Sequence, residues 1–367
     1  MKQHRKISVS KKVFFLAFAT LIIAVLCVGC SSETAKSTGQ IFLYGEAHGV
    51  PRIMDRQLEI WYDYYHNHNM RHLFIEFAYF TAEFLNIWMK SDNDDILYEL
   101  FDDWVGTVAH HPHKLVFYKT IKREFPETIF HGIDIGHQYW STGQRFLQYL
   151  RGSNKQGTVR YLLTLEAIEQ GEFFYKTREF GQVDWEYRVI KMTENFIREF
   201  DQLDGQNVMG IFGARHTRFG FMEALGLYDV PTMAERLRER YGDSLHTTDL
   251  FLLRLQLYPI RVDIININNV DYEASYFGTD LTSFSTVIGD VVSRSFWRLE
   301  NAYDDFRNKP TNEYWLPFDN YPMVIELNQV FIVDIVFTND SILRHFYRSI
   351  EGAYWQGRPI TTGFNVD

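Results

Sequence analysis

Five side chains in this sequence have types and spacings suited to moving a proton. In "IFLYGEAHGV", Ile41–Val50, Glu46 and His48 stand two apart at the end of an apolar run. "RHLFIEF", Arg71–Phe77, carries Glu76; "TIFHGIDIG", Thr128–Gly136, carries Asp134; "NVMGIFGARHT", Asn207–Thr217, carries His216. A carboxylate beside an imidazole orients the ring and makes its other nitrogen a stronger base. Such a base could take a proton from a bound reactant. Two acids and two histidines could equally gather a divalent metal that activates water. Glu46, His48, Glu76 and His216 are thus the candidate catalytic residues and, in the second case, the candidate metal ligands. The sequence has no G-x-S-x-G, H-E-x-x-H or P-loop, so a serine nucleophile or a thermolysin-like zinc site has no support.

Each candidate lies at or just past the end of a strand-like apolar run: Gln40–Tyr44, Arg71–Phe77, Thr128–Gly136 and Asn207–Thr217. Helical stretches separate them at Arg52–His68, Thr81–Lys90, Asp92–Val105, Gln144–Leu150 and Val159–Gly171. Across Trp185–Phe200 the apolar residues Trp185, Val189, Met192, Phe196 and Phe200 step by four or three, the period of an amphipathic helix. Alternation of this kind predicts an α/β fold with a mainly parallel central sheet flanked by helices. In open α/β sheets ligands bind outside the carboxyl ends of the strands. The acids and imidazoles should therefore converge on one crevice. Gly45 and Gly49 should let the backbone turn tightly around Glu46 and His48, and the His216 ring should project from a strand end. "HHPH", His110–His113, reads as a solvated turn, because Pro112 breaks a helix.

The pattern changes after Gly242. Thr248–Leu257, Arg261–Ile267 and Val330–Phe337 read as strands, around a polar and aromatic stretch between Asp271 and Tyr321. The expected organisation is a signal segment over 1–29, a tether over 30–39, an α/β domain over 40–257, and a C-terminal elaboration over 258–367 made of a sheet extension and an appended lobe.

The first segment has the features of a bacterial lipoprotein signal. Five basic residues precede an apolar run from Val13 to Gly29, and "LCVGCSSETAKSTG" follows with small residues around Cys30. Cys30 is the expected lipidated N-terminus of the mature chain, held at the cell membrane and facing outside the cytoplasm. The whole chain has 367 residues and a net charge of −10. Loss of the five basic residues leaves 32 basic against 47 acidic residues, net −15. A body this acidic is a poor partner for nucleic acid or an anionic membrane surface. Of the two cysteines one would be removed and the other lipidated, so stability must come from packing. Aromatics at 17% supply rings for a pocket as well as a core. The expected partners are a small-molecule substrate or ligand, and the membrane through the lipid.

These residues carry a resemblance. "GEAHG" resembles the opening glycine–acid–histidine motif of the erythromycin-esterase-like and haem-binding ChaN-like superfamily, "LFIEF" its second strand, and "FHGIDIG" its third. "MTEN", Met192–Asn195, with Arg188 before it, is similar to a long-helix motif of the esterase branch. "GARHT" is similar to the histidine-bearing fourth strand, and "MAERLRERYGDSLHT" to the segment that follows. The resemblance covers about residues 41–257. Only Ala47 separates the acid from the histidine, as in the ChaN-like branch, where the esterases usually have two residues. The resemblance implies hydrolysis of an ester or lactone by activated water without a serine intermediate. It implies substrate-binding roles for Asp134, Arg188 and Asn195, and for an arginine of the first helix, Arg52 or Arg56. The other branch implies a haem- or metal-binding surface lipoprotein without catalysis.

Overall fold

The computed structural model describes residues 39–179, 184–222, 227–280, 291–355 and 358–366. The signal segment and Cys30 lie outside the described residues. Among those residues, no helix is long and apolar enough to cross a membrane.

The strands β1 (Ile41–Glu46), β2 (His72–Ala78), β3 (Ile129–Asp134) and β4 (Val208–Gly213) join β7 (Leu245–Asp249) in a five-stranded sheet of order β3-β2-β4-β1-β7. Every pairing in it is parallel. Strand side chains alternate between faces, and β4 shows both faces buried. Val208 and Phe212 pack with Ile41, Leu43 and Phe74 on one side. Met209 and Ile211 pack with Tyr44, Leu73 and Phe130 on the other. A sheet covered on both faces explains why these segments read as continuous apolar runs.

Helices supply both covers. The first, α1 (Pro51–Asn67), starts on Pro51, whose missing N–H costs nothing in a first turn. It buries Ile53, Met54, Trp61 and Tyr65 against one face, alongside α2 (Tyr79–Trp88), α3 (Asp95–Asp103) and α4 (Pro112–Glu124). The chain continues through α5 (Gln144–Gly152) and α6 (Val159–Glu179) to α7 (Trp185–Asp201). Met192, Phe196 and Phe200 of α7 bury against the opposite face, and so do Met233, Ala234 and Leu237 of α9 (Met233–Tyr241), which follows the short α8 (Ala214–Thr217). A two-stranded ribbon, β5 (Phe221–Met222) with β6 (Leu227–Pro231), lies between α8 and α9 in the chain.

The C-terminal third forms a second, antiparallel sheet of seven strands. These are β8 (Arg261–Ile267), β9 (Val270–Asp280), β10 (Val291–Leu299), β11 (Thr311–Pro317), β12 (Val330–Phe337), β13 (Ile342–Trp355) and β14 (Arg358–Phe364), in the order β11-β14-β13-β12-β10-β9-β8. Val330–Phe337, read as a strand, is a central strand of this second sheet, with β10 and β13 as neighbours. One face of this sheet packs on Phe306 of the one-turn α10 (Tyr303–Phe306), the other on Tyr321, Met323 and Ile325.

Two further segments differ from their sequence reading. Thr248–Leu257 was expected as one strand, but β7 ends at Asp249 and a 3₁₀ turn occupies Phe251–Arg254. Pro112 does not break a helix; it opens α4, and the His111 ring accepts a hydrogen bond from His113 N at 3.1 Å as the cap.

Candidate functional site

The parallel sheet ends in a cavity of about 580 Å³, closed on its far side by the second sheet. Glu46, His48, Glu76 and His216 all line it. Glu46 is the last residue of β1 and Glu76 sits near the end of β2. His48 follows β1 in a turn where Gly49 takes φ 73°, a conformation that favours glycine.

Glu46 and His48 form a tight pair. His48 Nδ1 lies 2.7 Å from Glu46 Oε1, and the second carboxylate oxygen accepts a 2.5 Å bond from Gln57 Nε2 of α1. Burial pushes the Glu46 carboxyl up. Lys114 and the bonds from His48 and Gln57 outweigh that and hold it down at about 2. An ionised Glu46 accepts from Nδ1–H and leaves His48 Nε2 turned toward Glu76, 3.8 Å away. Burial works against the His48 imidazolium, but the facing Glu76 and Glu46 raise its pKa above the usual 6.5. Protein surrounds the ring, yet 37% of its surface opens onto the cavity.

Glu76 is the hub. Oε1 accepts from Arg188 Nη2 at 2.7 Å, and Oε2 accepts from the backbone N–H of Gly213 at 2.5 Å. Burial raises its pKa, but His48, His216 and Arg188 together bring it below the ordinary 4.5. Arg188, one turn into α7, is fixed in turn by Asp134. Its Nε donates to Oδ1 at 3.0 Å and its Nη2 to Oδ2 at 2.6 Å. Such charge-assisted pairs are the strong ones, and they keep Asp134 well below and Arg188 above their usual ranges despite burial. Asp134 also accepts from its neighbour's N–H, Ile135 N, and lies 3.1 Å from His137 Nε2, whose Nδ1 is 2.7 Å from Tyr175 Oη.

His216 stands at the other side of Glu76, with Nε2 3.5 Å from Oε1. It sits on α8, beyond the end of β4, and is buried rather than projecting as a free strand-end ring. Burial pushes its pKa down to about 4, with Arg188 adding to the effect against the pull of Glu76, so the ring is neutral at pH 7. Its Nδ1 is buried with no protein partner.

Two glycines allow this closeness. A Cβ on Gly213 would stand 2.9 Å from His48 Nε2 and 3.4 Å from Glu76 Oε2. A Cβ on Gly45 would stand 2.3 Å from Thr217 Oγ1. Gly45 thus serves the approach of α8 to β1, and not the turn expected of it.

The remaining candidates are placed as follows. Arg188 lines the cavity, and Asp134 is buried behind it. Asn195 is buried on α7 and donates to the Ile133 carbonyl at 3.0 Å, clamping the end of β3. Arg52 does not line the cavity; its Nη1 reaches the Leu253 and Leu255 carbonyls at 3.4 and 3.3 Å. Arg56 pairs with Glu59 at the surface and does not line the cavity either. Sequence reasoning missed Gln57, His137, Gly213 and His111, which borders the cavity. Gln57 had a signal: it is a polar residue in the buried stripe Ile53–Gln57–Trp61 of α1.

The metal reading fits poorly. Among the described residues no group of three or more His, Cys, Asp or Glu side chains could hold a metal ion. The reason is visible at Glu76, whose two oxygens already accept from a guanidinium and a backbone N–H. Glu46 is likewise committed to His48 and Gln57.

No family model matches the chain, and no curated protein matches it. Three solved structures are similar. A succinoglycan biosynthesis protein is 11% identical, with a TM-score of 0.41 over 57% of this chain; the chain spans 65% of that protein's length. A protein from Bacillus cereus is 13% identical, with a TM-score of 0.42 over 72% of this chain and 78% of its own. A mutant of the erythromycin esterase EreC in its open conformation is 13% identical, with a TM-score of 0.44 over 77% of this chain and 85% of its own. These likenesses are distant, and the chemistry of the site stands on its own side chains.

Proposed function

We propose that the cavity is a hydrolytic centre that cleaves an ester or lactone with water activated by His48. One observation carries the proposal: an ionised Glu46 holds Nδ1 of His48 at 2.7 Å, at the mouth of a cavity shared with Glu76, Arg188 and His216. The motifs that resemble the erythromycin-esterase-like proteins support the same reading.

At 3.8 Å and 3.5 Å from Glu76 the two imidazoles make no direct hydrogen bond to it, so their Nε2 atoms are open to a water in the cavity. Glu76 and the neutral His216 orient that water. His48 Nε2 takes its proton as the oxygen attacks the acyl carbon. Arg188, charged and lining the same cavity, opposes the negative charge that develops on the carbonyl oxygen. The tetrahedral intermediate collapses, the C–O bond to the alcohol breaks, and the departing alkoxide takes the proton back from His48. No covalent enzyme intermediate and no metal is needed for these steps.

Lipid attachment at Cys30, outside the cytoplasmic membrane, belongs to the same proposal and rests on the sequence alone. A panel of esters and lactones offered to the full chain and to His48→Asn tests the chemistry. Turnover by the first and its loss in the second is the expected result. A His48→Asn variant as active as the parent removes His48 from the chemistry.

A further inference from the structure

The charges that line the cavity do not match those of the chain. The whole sequence carries a net charge of −10. Among the described residues, however, the charged groups lining the cavity, histidines aside, are the four arginines Arg188, Arg215, Arg218 and Arg254 against the two glutamates Glu46 and Glu76. An excess of one sign in a cleft concentrates ligands of the other sign.

The two signs are also separated along the sheet. Arg188 is committed to Glu76 and Asp134, on the side of β2 and β3. Arg218 and Arg254 belong to the opposite edge, where β7 pairs with β1 and Asp249 stands beside Gly45. Arg218, just past α8, has Nε and Nη2 both 3.0 Å from one oxygen of Asp249. A guanidinium carries five N–H donors, so a single carboxylate oxygen does not exhaust it. Arg254 ends the 3₁₀ turn Phe251–Arg254 and is fixed by the main-chain carbonyls of Tyr321 and Phe318. Both guanidinium carbons lie over the Phe251 ring, 5.4 and 4.3 Å from its centroid, so one side chain of the cavity wall gathers two cations. Arg215, on α8, lines the same cavity and is exposed to solvent. Neighbouring strands are about 5 Å apart. The β7 edge is therefore one strand from the Glu46–His48 pair and three from Glu76. An anion seated at that edge keeps clear of the ionised Glu76, while Glu46 is answered by Lys114 and His48. The rest of a small molecule then lies over His48.

We infer that the β7 edge of the cavity, through Arg215, Arg218 and Arg254, binds an anionic group of the substrate, a carboxylate or a phosphate, and so places an ester bond one strand away at His48. The fork of an arginine matches either anion in a bidentate way. The word "ester" rests on the hydrolytic reading, but the anion site does not and can be tested without turnover.

Calorimetry on the full chain compares levulinate with its uncharged primary amide, and dihydroxyacetone phosphate with dihydroxyacetone. Each pair shares a ketone that water does not cleave and differs by the anionic group. At least one anion should bind about tenfold or more tighter than its neutral partner, and lose that margin as salt is raised. A wider margin in the first pair makes the group a carboxylate, and in the second a phosphate. Arg218→Gln should weaken the preferred anion about tenfold and change its neutral partner by less than about twofold. Arg218→Lys, which keeps the charge and loses the fork, should fall between the two. Arg215→Gln, at an exposed position where substitution does not unfold the chain, should narrow the margin in the same direction and keeps the test valid if Arg218→Gln fails to fold. Equal affinity for anion and neutral partner in both pairs, or margins unchanged in both glutamine variants, overturns the inference. Anion binding that depends on these arginines, without turnover of any ester, would sink the hydrolytic reading and leave the anion site standing. Turnover of neutral esters in preference to their acidic counterparts would overturn the anion site and leave the hydrolytic reading standing.

Discussion

At the scale of single residues, the site separates two histidines by their surroundings. His48 faces two ionised carboxylates and has a raised pKa; His216 is buried beside Arg188 and has a pKa of about 4. Only a neutral His48 can take a proton. The rate should therefore rise with pH through an ionisation above 6.5 and then level off. A pH–rate profile that is flat from 6 to 9, or falls across it, contradicts that role. The sign for stability is opposite at this residue. Its charged form is favoured by folding, so that contribution is present below pH 6.5 and fades as pH rises through the folded pKa. Glu46→Gln should keep the pair's shape but lose the charge that fixes the His48 ring, and cost about 10²–10⁴ in kcat/KM with a modest change in melting temperature. Activity within a few-fold of the parent would show that Glu46 is not the orienting group. Glu46, His48, Glu76 and His216 were legible in the sequence because each follows an apolar run whose end it marks. Arg52 and Arg56 were misplaced because helical position alone does not say which way a long side chain reaches.

At the scale of elements, the site depends on how closely β1, β4 and α8 approach. Gly213 ends β4 where a Cβ would come within 2.9 Å of His48 Nε2 and 3.3 Å of its Cε1. Gly213→Ala should fold, displace the His48 ring, and lower kcat by about tenfold or more, since misplacements near 1 Å cost up to about 10². Unchanged kcat would mean that the ring is not held where the chemistry happens. Four of the five first-sheet strands and most helices could be read because they carry buried apolar runs; β7 could not, because only Leu245 of it is buried. α4 could not, because Pro112 serves as a first-turn residue and the cap comes from His111, a residue type that does not announce caps. The C-terminal strands were only partly legible. Their sheet buries both faces through separate clusters, and β9 carries a bulge, so no simple alternation survives in the sequence.

At the scale of the whole molecule, the buried ionisable groups set a direction for acid stability. The pKa of His216 is about 4 when folded against 6.5 in an unfolded chain, and that of Glu46 about 2 against 4.5. Both are lowered, so both contributions are full above their unfolded values and are lost as pH falls through their folded ones. His216 accounts for the window from 6.5 down to 4, by on the order of 3 kcal/mol. His216→Asn should consequently show a flatter melting temperature between pH 7 and 4 than the parent. Parallel curves would mean that His216 is not buried neutral. The proposed attachment to a membrane rests only on the sequence up to Cys30, which lies outside the described residues. Cys30→Ala should leave an unprocessed precursor or release the protein from the membrane fraction, whereas normal size and retention after carbonate washing would indicate an uncleaved anchor. The hydrolytic account as a whole rests on His48 as the base in the shared cavity. Its most direct test is the pH dependence of kcat/KM of the full chain on a turned-over ester, measured beside His48→Asn. The account predicts a rise with pH in the parent through an ionisation above 6.5, and a loss of about 10²–10⁴ with no such ionisation in the variant. The same ionisation and rate in both proteins would contradict it.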